Sequence, residues 1–152
     1  MTAALDILIV HDPREPAKKC SLTPLRGMPG VLFVPVRGSE RVDGTGRIWL
    51  HPDGEELKPT DRGRGLLLVD CTWHRLPKLS ARIDGEPVRR RLPRLVTAYP
   101  RRSKLARDPE RGLASVEALY AATALLDGPR PELLVGYRWS AEFLAANSDL
   151  PR

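Results

Sequence analysis

Hydrophobic and polar positions divide this chain into two parts of different character. In the first part, Leu5 to Val10 (LDILIV) and Leu66 to Val69 (LLLV) are almost uninterrupted aliphatic runs. Short runs of this kind, closed by turn residues, predict strands covered on both faces of a parallel sheet, where alternation vanishes because neither face meets water. Val31 to Val36 (VLFVPV) predicts a third strand. Pro35 restricts it to an edge or a strand end, because proline has no N–H to donate. Arg47 to Leu50 (RIWL) and Leu95 to Ala98 (LVTA) predict two more, and connectors such as GMPG and DGTG separate them.

After Pro100 the period changes. Leu113 to Leu126 (LASVEALYAATALL) is rich in helix formers, with Val116, Leu119, Tyr120 and Thr123 along one side and Gly128 as a stop. Pro131 opens a second helix, on which Leu134, Tyr137, Ala141 and Leu144 form one stripe. The pattern predicts an α/β unit with a mostly parallel sheet over residues 1–98, then an all-helical C-terminal domain over 99–152.

Composition narrows the class. A chain of 152 residues with 41% hydrophobic content can bury one ordinary core, and 15 prolines with 12 glycines imply short elements and many turns. No run of 18 apolar residues exists, which excludes a membrane-spanning helix. The opening MTAALDILIVHDP has no cationic lead and reads as a first strand, not a signal peptide. Cys20 and Cys71 fall in different elements without paired spacing, the pattern of reduced thiols in a cytoplasmic protein.

Charge is uneven. The formal net charge is +6, but residues 75–111 hold 12 Lys or Arg against 4 Asp or Glu. A basic patch confined to one quarter of a chain is the footprint of a polyanion such as RNA or DNA, although a solubilising face explains the charge equally well.

Two stretches carry candidate chemistry. Asp70 directly follows LLLV, and ligands of open parallel sheets bind beyond the carboxyl ends of the strands. A carboxylate there accepts hydrogen bonds from an amine or hydroxyl. Trp73 offers an indole face to an adenine or a sulfonium, worth about 0.5–2 kcal/mol. A turn aspartate and a core tryptophan give the same pattern. Near the front, Lys18, Lys19, Ser21 and Thr23 of HDPREPAKKCSLTPL suit a turn facing phosphate or carboxylate, without the glycines of a P-loop. There is no GxGxxG and no GxSxG. His11, His51 and His74 lack the spacing of metal ligands, so no metal is expected. From these residues alone the chain is an α/β domain with a ligand site at Asp70 and Trp73, and a basic segment facing a polyanion.

Five ordered blocks resemble one family, the SPOUT-like aminocarboxypropyltransferases of small-subunit ribosomal RNA. They are PAKKCS (Pro16 to Ser21), DCTW (Asp70 to Trp73), LPRLVTAYP (Leu92 to Pro100), GLASVEA (Gly112 to Ala118) and YRWSAEFLAAN (Tyr137 to Asn147). The resemblance implies a trefoil-knotted α/β domain followed by a helical one. It implies S-adenosylmethionine as co-substrate, no metal, and transfer of its 3-amino-3-carboxypropyl group to N3 of an N1-methylpseudouridine or uridine within a pre-ribosomal particle. Asp70 would lie by the amino-acid end of the cofactor and help deprotonate the imide. Ser21, Leu50, Pro52, Trp73, Leu95, Val96, Leu113 and Glu117 would complete the cofactor site. Lys18, Lys19, Arg89, Arg90, Arg91, Arg101, Arg102 and Lys104 would hold RNA phosphates.

The chain departs from that family where YPRRSK replaces NPVNYG, so Tyr99 stands in place of an asparagine and the adjoining loop is cationic. DCTW also stands close to the DTW signature of enzymes that place the same group on uridines of transfer RNA. Those enzymes, an RNA methyltransferase of the same fold, and a non-catalytic RNA-binding assembly factor are the alternative readings.

Overall fold

The computed structural model describes residues 4–14, 20–72, 74–100 and 112–151. The strands are β1 (Ile7–His11), β2 (Val31–Pro35), β3 (Val42–Asp43), β4 (Ile48–Glu56), β5 (Leu66–Asp70), β6 (Ile83–Asp84) and β7 (Val88–Arg91). The helices are α1 (Leu76–Ser80), α2 (Ser115–Asp127) and α3 (Ser140–Ala146). Five strands form one sheet in the order β2-β1-β5-β4-β7, β3 and β6 form a separate pair, and all these ladders are parallel.

The two aliphatic runs, β1 and β5, lie side by side in the middle of the sheet. Successive side chains of a strand point to opposite faces. Ile7, Ile9, Ile48, Leu50, Leu66 and Leu68 therefore face α2, while Leu8, Val10, Trp49 and Leu67 pack on the other side with Val36, Val42 and Ile83. Burial of each such leucine or isoleucine stabilises the fold by about 1.5–3 kcal/mol.

The expected separate helical domain over 99–152 is not present. Val116, Leu119, Tyr120, Ala122 and Leu126 of α2 belong to the same cluster as Ile7, Ile9, Leu66 and Leu68. The reason is the composition of α2, which is buried nearly all round. A helix apolar on every side packs between layers and founds no core of its own. The trefoil knot also has no support in the described residues, whose topology is a mixed α/β arrangement with a parallel sheet and three helices.

Three local differences bear on the site. LVTA forms no strand; the edge position beside β4 belongs instead to the arginine-rich β7. The helix expected from Pro131 is a single 3-10 turn, Pro131–Leu134, with α3 starting only at Ser140. The β4–β7 ladder shifts register between Leu50 and Glu55, so residues 51–54 form a bulge with no β7 partners. Gly54 makes the bulge possible, because a Cβ there would lie 2.5 Å from the Arg89 carbonyl oxygen and from the Arg90 nitrogen.

Candidate functional site

A cleft of about 400 Å³ opens at the carboxyl ends of β4, β5 and β7. Leu68 of β5, Leu50 at the end of the regular part of β4, and Pro52 on the bulge supply part of its lining. Leu92, Pro93 and Leu95 follow β7, and Leu113 and Ala118 come from the start of α2 and the residues before it. Four residues named from sequence for the cofactor thus share one wall system, Leu50, Pro52, Leu95 and Leu113. Arg90, Arg91 and Arg94 provide the charge of this lining, which contains no carboxylate among the described residues.

Asp70 lies two positions beyond Leu68 on the same face of β5, beside the lining and not within it. Ser115 Oγ donates to its Oδ1 at 2.9 Å and the Cys20 thiol donates to its Oδ2 at 3.0 Å. Ser21 Oγ accepts the Val116 N–H at 3.2 Å. The early turn, the central strand and the first turn of α2 are therefore tied together at Asp70. Among the described residues each Asp70 oxygen accepts one side-chain hydrogen bond, which leaves it capacity for another. Burial, followed by the adjoining Asp70 carboxylate, pushes the Cys20 thiol up to about 11, so it remains a protonated donor.

Glu117 is fully buried, and its carboxylate is occupied by the protein itself. Oε1 accepts from Thr97 Oγ1 at 2.6 Å and the Ala114 N–H at 2.8 Å; Oε2 accepts from the Ala98 N–H at 2.9 Å and Tyr137 OH at 3.0 Å. Burial and then the Glu117 charge raise the Tyr137 pKa, which keeps that phenol a donor. Glu117 holds the segment after Leu95 against α2 and lies outside the cleft lining. Val96 is 58% exposed, and both its backbone N–H and C=O are bonded to Asn147.

The arginines of β7 alternate. Arg90 pairs inward with Asp61, Nε to Oδ2 at 3.0 Å, whereas Arg89 and Arg91 are exposed. The Arg89 guanidinium lies 4.6 Å above the Trp49 ring, and Arg91 donates to the Gly54 carbonyl at 3.1 Å. Trp73, Lys18, Lys19, Arg101, Arg102 and Lys104 lie outside the described residues.

The sequence singled out neither Arg94, His51, Tyr137 nor Asn147 as an individual site residue. Arg94 stands exposed at the cleft with no hydrogen bond or ion pair among the described residues. Its signal was a lone cation within the apolar block LPRLV. Burial, then Arg89, lowers the His51 pKa, and its Nδ1 accepts the Asp53 N–H at 3.1 Å, so the imidazole is neutral near pH 7. Among the described residues no group of three or more His, Cys, Asp or Glu is placed to hold a metal ion, and no helix is long and apolar enough to cross a membrane.

This arrangement has known counterparts. The solved structure of the SAM-dependent rRNA:acp-transferase Tsr3 from Vulcanisaeta distributa superposes with a TM-score of 0.73 at 27% identity, covering 95% of this chain and 79% of that one. A curated 16S rRNA aminocarboxypropyltransferase from Vulcanisaeta distributa is 33% identical over 111 residues, 68% of this chain. The match spans 58% of that relative's length. Residues 48–151, which include every cleft-lining residue, match the family described as ribosome biogenesis protein, C-terminal, and the chain belongs to that family.

Proposed function

We propose that this chain transfers the 3-amino-3-carboxypropyl group of S-adenosylmethionine to N3 of a uridine or N1-methylpseudouridine in small-subunit ribosomal RNA, during ribosome biogenesis in the cytoplasm. The observation that carries the reading is the cleft at the carboxyl edge of the parallel strands, the place where such sheets bind ligands. The relatives' activity as rRNA aminocarboxypropyltransferases supports the group transferred and the class of acceptor.

The residues fit the co-substrate. A volume of about 400 Å³ lies within the ~300–1,000 Å³ of small-molecule sites. Leu50, Pro52, Leu92 and Leu113 give apolar walls for an adenine, and Asp70 offers carboxylate oxygens to the cationic amino end. S-adenosylmethionine supplies a sulfonium whose three attached carbons are all electrophilic. The protein's part is then orientation: the carbon held in line with the acceptor nitrogen is the one transferred. Cys20 and Ser115 fix the Asp70 carboxylate for that placement. Arg91 and Arg94 at the cleft offer cations to the phosphates of the acceptor strand.

The test is mass spectrometry of nucleosides from small-subunit rRNA and, separately, transfer RNA, each incubated with the protein and S-adenosylmethionine. The expected outcome is a gain of about 101 Da on a uridine-type nucleoside, the whole group that in-line attack moves. A gain of about 14 Da indicates methyl transfer from the same site. Modification of transfer RNA alone moves the acceptor, and no gain leaves a non-catalytic RNA-binding factor.

A further inference from the structure

Leu95 lines the cleft, yet the segment from Leu95 to Ala98 pairs with no strand. Its backbone polar groups find partners in side chains from the far end of the chain. Asn147, 6% exposed, follows α3 directly. Its Oδ1 accepts the Val96 N–H at 2.7 Å, and its Nδ2 donates to the Val96 carbonyl at 2.8 Å. The same Nδ2 donates to the Phe143 carbonyl, also at 2.8 Å. A reversed amide would set its oxygen against two carbonyls, so the orientation follows from the partners. One carboxamide thus does for Val96 what a neighbouring strand does for a ladder residue.

We infer that Asn147 is a positioning residue for cofactor binding. It is not among the residues that line the cleft and acts through Val96, fixing Leu95 at its depth in the wall. This rests on the reading of the cleft as the S-adenosylmethionine site.

The alternative is a role in general stability, and the exposure of Val96 argues against it. Val96 is 58% exposed and contributes little to the core, so loss of the two Asn147 bonds at its backbone falls mainly on the placement of the 95–97 segment. The Phe143 carbonyl loses a buried donor, which lowers Tm modestly. What is lost is the single position of the 95–97 segment. A wall free to move costs ligand affinity, because the free protein then has to be ordered on binding.

Calorimetric titration of the full-length protein with S-adenosylmethionine separates the two roles, since a misfolded fraction lowers the stoichiometry and a displaced wall raises Kd. Asn147→Ala is expected to raise Kd about tenfold at unchanged stoichiometry, as misplacement of a binding group predicts. Leu150→Ala, which truncates a buried core residue away from the cleft lining, serves as control; it is expected to lower Tm and leave Kd unchanged. Wild-type Kd in the Asn147 variant, or an equal rise in both variants, overturns the inference and leaves the cleft reading intact. Absence of binding by the wild-type protein overturns both.

Discussion

Nε of Arg90 lies 3.0 Å from Oδ2 of Asp61, a carboxylate only 3% exposed, so the middle arginine of VRRR serves the fold. Arg90→Ala leaves that carboxylate buried without its cation and is expected to cost about 3 kcal/mol in urea unfolding. Burial alone would raise the Asp61 pKa, but the Lys58 N–H and Arg90 outweigh it and the net direction is down. A carboxylate whose pKa is depressed on folding contributes stability above its unfolded-state value, and loses it as pH falls through the folded one. The difference between wild type and Arg90→Ala should therefore narrow in acid, below the ordinary value of 3.8. A constant difference would mean that the pair is not the source.

Arg91 and Arg94 are expected to behave in the opposite way. Each is exposed at the cleft, so substitution by alanine should change stability by no more than about 0.5 kcal/mol. RNA affinity should fall, and the slope of log K against log salt should drop by about 0.7–1 for each cation removed. Filter binding across a salt series provides the measurement; an unchanged slope would place the RNA elsewhere.

The thiol of Cys20 should alkylate slowly. With its pKa pushed up to about 11, little thiolate exists at pH 8. Burial is the leading cause and Asp70 the next, so Asp70→Asn removes part of the rise and should speed iodoacetamide labelling of Cys20 several-fold. Peptide mapping distinguishes this thiol from Cys71. Equal rates in both proteins would remove the thiol–carboxylate contact from the description of the site.

Glu117 and Tyr137 should differ in rank. Tyr137→Phe removes one of four hydrogen bonds to the carboxylate, a loss of about 1 kcal/mol. Glu117→Ala strips the acceptor from four donors at once and should cost at least about 3 kcal/mol. Thermal unfolding measures both, and the reverse ranking would show that the carboxylate is not the hub.

What the sequence disclosed followed from how each element is covered. β1 and β5 were legible because both faces are buried, which erases alternation and leaves an unmistakable aliphatic run. β7 was not, because its identity comes from pairing with β4, and alternate arginines resemble any solvated cationic run. LVTA misled because apolar character reports burial, whereas its backbone partners are side chains of Glu117 and Asn147 far along the chain. α2 was visible through its composition, but periodicity cannot say what lies on the other side of an apolar face, so the shared core was missed. Leu50, Pro52, Leu95 and Leu113 gathered in one cleft because motif resemblance carries three-dimensional information that pattern lacks. Arg94 escaped because it is a lone cation in an apolar block, and Asn147 because its partner Val96 lies 51 residues away in sequence.

The common core of sheet and α2 has a consequence during synthesis. A growing chain that has reached Ala98 already contains all the strands described, yet one side of its sheet, with Ile7, Ile9, Leu66 and Leu68, is still bare and sticky. Exposed apolar surface of this kind makes a part-made chain prone to aggregation. Completion of α2 closes the oily side and completes the wall of the cleft in the same event, so durability and the cleft are acquired together.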